Sequence, residues 1–139
     1  MNAEQIEALM TRMNLPWSRV VKNMWNIDDR GDNLPGVTVS IEPGEKHGRD
    51  LVKFVTFICD VPRDAGPEFF LDFLRLNFRV DHGAFAMESK SEMFYLDTLE
   101  LAGLDPNEFE AALTAMRNAP RMFQEKYDID IYTMGRPQF

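Results

Sequence analysis

Residues 51–61 read LVKFVTFICDV, and no other stretch constrains the fold as much. Its β-branched and aromatic content marks a strand. In that strand Val52, Phe54, Thr56 and Ile58 face one way, while Lys53, Val55, Phe57 and Cys59 face the other. A strand that is apolar on both sides is central in its sheet and covered on both faces, or is covered on one face by a second chain. The run therefore predicts a sheet with helices on at least one side, and gives a first indication of an oligomer.

The rest of the chain supplies the helices. Asn2 can cap a first helix, with Gln5 three residues on able to reach back, and Ile6, Leu9, Met10 and Met13 follow as one apolar stripe that ends before Pro16. Pro67 opens a second helix, PEFFLDFLRLN, with Phe69, Phe73 and Leu76 on one stripe and Phe70, Leu74 and Phe78 on another. Asn77 tolerates the left-handed backbone that closes a helix. In the third, LDPNEFEAAL, Asp105 caps, Pro106 takes the first turn, Glu108 completes the box, and Leu104 and Phe109 are spaced as a hydrophobic staple. Pro120 removes one backbone bond and should kink or restart that helix near Asn118.

Strands fill the intervals. GVTVSIE alternates, with Val37, Val39 and Ile41 on one face. GAFAME and EMFYLDTLEL, joined by SKS, read as a hairpin, with Gly83 giving backbone freedom at its start. Residues 17–27, WSRVVKNMWNI, fit either a strand or a helical stripe; the aromatic and β-branched content and the following DDRGDN turn signal favour strand. DIDIYTMGRPQF could add a short edge strand at Ile129 to Tyr132 or fray, with 133–139 as a tail. The expectation is an α+β domain over residues 1–139: a twisted antiparallel five-stranded sheet with helices packed on it, in the order α-β-β-β-α-β-β-α.

Composition limits the partners. A chain of 139 residues with 45% hydrophobic content builds a core without disulfides or metal, and eleven Phe and nine Met mean either a large core or some apolar surface that meets a partner. Twenty-three acids against fifteen bases leave a net charge of -8, which repels phosphate backbones and anionic lipid and argues against nucleic acid or membrane as a ligand. The lone Cys59 cannot form an internal disulfide and fits a reducing cytoplasm. The N-terminus carries no visible secretory signal, and no stretch reaches the roughly 20 apolar residues that cross a bilayer.

Three stretches together, FLRLNF, GAFAMESKSEMFYLDTLEL and AGLDPNEFEAAL, resemble the YbjN-like members of the type III secretion chaperone-like superfamily. The likeness covers about residues 66–118, and the element order extends it to the whole chain. It implies a small cytoplasmic bacterial protein with helices on an antiparallel sheet. In the secretion chaperones such a fold dimerises and carries an extended segment of a client.

Chemistry finds little support. Asp81 adjoins His82, but neighbours in a strand or turn point apart, and His47 lies in a charged loop; each reads as a solvated loop histidine. One Cys and two isolated His give no zinc spacing, and DDRGD at 28–32 lacks the calcium-loop pattern. No phosphate loop or nucleophile elbow occurs. The sequence thus offers no catalytic, cofactor or metal residues, and the leading reading is a non-enzymatic, chaperone-like protein-binding module that forms a homodimer and carries a client protein. The alternative is a regulatory or signalling adaptor that binds one folded partner, and a small enzyme with an unrecognised site comes third. The candidate interaction or dimer surface is Val55, Phe57, Phe69, Phe70 and Phe73.

Overall fold

A computed structural model describes residues 1–28, 35–45, 48–89 and 91–127. Its elements are α1 (Ala3–Arg12), β1 (Trp17–Val21), β2 (Met24–Ile27), β3 (Val37–Glu42), β4 (Leu51–Asp60), α2 (Pro67–Arg75), a 3-10 turn (Leu76–Arg79), β5 (Ala84–Met87), β6 (Glu92–Glu100) and α3 (Pro106–Tyr127). The strands form one antiparallel sheet ordered β1-β2-β3-β4-β6-β5, with β4 central as its composition requires.

Over the described residues the sheet has six strands, not the five expected, and the element order gains a strand accordingly. The difference lies in residues 17–27. They fold as a hairpin closed at Lys22–Asn23, with Trp17 opposite Ile27 and Val21 opposite Met24. Asn23 adopts φ +62°, a left-handed conformation its short polar side chain tolerates. One strand of eleven residues could not make that reversal, and the turn places Trp17, Arg19, Trp25 and Ile27 on a common face.

That face is dry. Trp25, Ile27, Val37, Val39, Val52, Phe54, Ile58, Met93, Tyr95 and Phe85 are buried beneath the helices. Phe109 of α3 packs on Phe54 with ring centroids 5.5 Å apart, and Phe73 of α2 sits between Phe85 at 5.4 Å and Phe123 at 6.0 Å. Each such side chain removed from water contributes about 1.5–3 kcal/mol. At the other end α1 is tied down by polar contacts. The Glu7 carboxylate accepts from the Trp25 indole N–H at 2.7 Å and from the Arg19 guanidinium at 2.6 Å, and the Trp17 indole donates to Thr11 Oγ1 at 3.0 Å.

The caps follow the sequence. Asn2 and Gln5 form the reciprocal box on α1, and Asp105 Oδ1 accepts from the Glu108 N–H at 2.8 Å. Three local expectations are corrected. Helix α3 runs through Pro120 to Tyr127 rather than restarting at Asn118; the ring is buried, and the helix sacrifices one hydrogen bond to keep Ala119 and Phe123 in the core. Asn77 does not close α2 in the left-handed region; it lies in the 3-10 turn and uses its side chain instead. Cys59 does not share the outer face with Phe57. The β4–β6 register shifts between Phe57 and Cys59, so Cys59 pairs with Met93 and turns inward, its Sγ 4.0 Å from the Met93 sulfur. His47, most of the DDRGD turn and Ile129 to Tyr132 lie outside the described residues.

Candidate interaction surface

The second face of the sheet carries the side chains that the β4 sequence left without cover. All three helices lie on the face of Phe54 and Val52, while Lys53, Val55 and Phe57 point away from them and are only half-buried. The register extends the strip sideways: Val55 stands opposite Leu96 and Phe57 opposite Phe94 on β6, and these in turn face Ala84 and Ala86 on β5. The Phe57 and Phe94 rings meet edge-on at 5.8 Å. Small Ala86 beside bulky Phe94 leaves a shallow hollow of about 280 Å³, rimmed by Lys53, Val55, Met87, Glu88 and Leu96. Toward β3 the face turns polar, with Thr38, Ser40 and Glu42, the last 3.9 Å from Lys53 Nζ. The apolar part is therefore a bounded strip across β4, β6 and β5.

The other candidates divide. Phe69 and Phe70 of α2 are half-buried and touch each other at 5.6 Å, whereas Phe73 is 2% exposed and belongs to the core. Leu71, Leu74 and Phe78 instead occupy the outside of that helix and turn. The sheet strip and the α2 residues are thus separate surfaces rather than one. Sequence reasoning did not single out Phe94 and Leu96; the alternation of EMFYLDTLEL was the available signal, but their place beside Val55 and Phe57 depends on a pairing of distant strands.

His82 lies at the exposed bend before β5, and its main chain is what the fold engages: the Tyr95 hydroxyl donates to the His82 carbonyl. Burial, with the nearby Asp97 and Asp81 carboxylates, pushes the Tyr95 phenol up to about 12. Gly83 follows at φ +73°, where an added Cβ would lie 2.5 Å from the Leu96 carbonyl. His82 also borders a cleft of about 530 Å³ between this bend and α3, lined by Val80, Ala111, Ala115 and Met122 with Arg79, Asp81 and Glu110 among its rim. Opposite charges mix around that rim. Among the described residues no three His, Cys, Asp or Glu side chains cluster as metal ligands, and no helix is long and apolar enough to cross a membrane.

The helices thus cover one face of the antiparallel sheet, and the other carries the bounded apolar strip of Val55, Phe57, Phe94 and Leu96. The sequence pattern of the CesT_Tir_1 family, type III secretion chaperone-like, matches residues 3–126, and the chain belongs to that family. Among solved structures it is similar to YbjN of E. coli, described as a proposed transcription regulator, at a TM-score of 0.63 and 9% identity, over 99% of this chain and 97% of that one. At that identity the likeness shows the fold. No curated protein matches the sequence.

Proposed function

We propose that the chain is a non-enzymatic, chaperone-like module that holds a client polypeptide on the uncovered sheet face, acting as a homodimer in the cytoplasm. The observation that carries this reading is the apolar strip of Val55, Phe57, Phe94 and Leu96 on a sheet whose other face is already sealed by three helices. Contiguous apolar patches on monomers are small, and larger ones mark interaction sites. Family membership supports protein binding as the general role.

The test is capture from a cell lysate on the immobilised wild-type chain and on Phe57→Asp, each checked for helical and strand signal by circular dichroism. A client retained by the wild type and lost by the folded variant supports the reading. Equal capture by both would end it. A captured protein that remains folded and active while bound would favour the adaptor reading.

A further inference from the structure

The cleft of about 530 Å³ between the 79–82 bend and α3 belongs to neither the core nor the sheet strip. Ala111, Ala115 and Ala119 recur every four residues and make one row along α3, and their methyl groups hold the helix surface back from the bend. With Val80 and Met122 they give the cleft an apolar floor. It is long rather than round. From Asn107 to Met122 its α3 wall runs over fifteen residues, a rise of about 22 Å. An extended chain of roughly seven residues covers that length at about 3.3 Å per residue.

The polar groups of the wall say what kind of chain. Asn107, Thr114 and Asn118 are exposed along it, and each carries both a donor and an acceptor. Peptide groups need that complement, whereas a hydrocarbon tail would leave it idle. Charge selects further. Arg12, Arg19, Arg49, Lys53 and Arg75 each pair with an acid. Among the described residues, Arg79 on the bend and Arg121 in the hollow beside Thr114 and Asn118 pair with none. Of the two acids on the rim, Glu110 is engaged by Arg12 at 2.7 Å, which leaves Asp81. Two unengaged guanidinium groups against one carboxylate favour an acidic segment, and Asp81 repels an acid from its own stretch of the rim.

We infer that this cleft is a second polypeptide-binding site. Its occupant is an extended acidic segment of a partner protein, with apolar side chains laid on the alanine row and carboxylates at Arg79 and Arg121. The site lies on the helix side of the sheet and does not rest on the reading of Val55 and Phe57.

Fluorescence anisotropy tests it with a labelled peptide of alternating Asp and Leu, about eight residues long. The wild type should bind it saturably with a dissociation constant below about 100 μM. A Lys–Leu repeat and an Asp–Ser repeat of the same length should bind at least about tenfold more weakly. Arg79→Glu with Arg121→Glu should weaken the Asp–Leu peptide by at least about tenfold, and Ala115→Trp should do so with both arginines in place, by filling the cleft. Phe57→Asp should leave the affinity unchanged. Circular dichroism confirms that every variant is folded. No saturable binding below about 1 mM, equal affinity for either control repeat, or indifference to the arginine exchanges would each overturn the inference. Binding lost by Phe57→Asp but kept by the arginine variant would overturn it too, by assigning the peptide to the sheet strip.

Discussion

The side-chain amide of Asn77 pairs with the main chain of Phe85 as a strand residue would: Oδ1 accepts from the Phe85 N–H at 2.6 Å, and Nδ2 donates to the Phe85 carbonyl at 3.3 Å. Strand β5 is a sheet edge, and edges invite pairing with other chains. One side chain from the 3-10 turn covers that edge at Phe85 and ties the end of α2 to the sheet.

Asn77→Ala removes both bonds and leaves two part-buried backbone groups without their partner, which should cost about 1–3 kcal/mol in urea unfolding. Asn77→Asp keeps the acceptor and loses the donor, so it should fall between. An Ala variant as stable as the wild type would mean that water replaces the amide at no cost.

The bend at residues 82 and 83 separates a side chain from a backbone requirement. His82→Ala should change stability by less than about 0.5 kcal/mol, since the fold engages only the carbonyl of this exposed residue. Gly83→Ala should cost more than about 1 kcal/mol, because φ +73° is strained for alanine and the methyl meets the Leu96 carbonyl. Thermal melts of the two variants decide it, and a reversed ranking would show that the histidine side chain carries structure.

Hydrogen bonds from Trp25 and then Arg19 hold the Glu7 carboxyl below its ordinary value of 4.5. A carboxyl depressed in the folded state contributes stability that is present above its unfolded value and lost as pH falls through the folded one. Melting temperature should therefore decline on acidification below about pH 4.5, and decline less steeply in Glu7→Gln. Parallel curves for the two proteins would remove Glu7 from the acid transition.

Burial, assisted by the Asp60 charge, pushes the Cys59 thiol up to about 12. Only the thiolate attacks disulfide reagents, so the native chain should be unreactive toward a chromogenic disulfide at pH 8 and react once unfolded. A thiol pKa raised on folding contributes stability that is complete below the unfolded value of 9 and is lost as pH rises toward 12. Rapid labelling of the native protein would mean that the β4 bulge opens readily.

Local chemistry by itself determined much of this molecule. The capping box at Asn2 and Gln5, the Asp105 cap and the faces of β3, β5 and most of β4 were legible because each rests on side-chain period or on hydrogen bonds within a few residues. The resemblance carried by the stretches from FLRLNF to AGLDPNEFEAAL led to the right family for the same reason, since those motifs are turns and caps. Tertiary structure decided the rest. The reversal at Asn23 that makes a sixth strand, and the shift that turns Cys59 inward, depend on which strand lies alongside, and periodicity is blind to that. Phe73 and Phe78 look alike as apolar positions in one helical run, yet one is sealed between Phe85 and Phe123 while the other stands in solvent. What separates them is the direction from which the sheet and α3 approach the helix, and that is set by contacts between residues far apart in the chain.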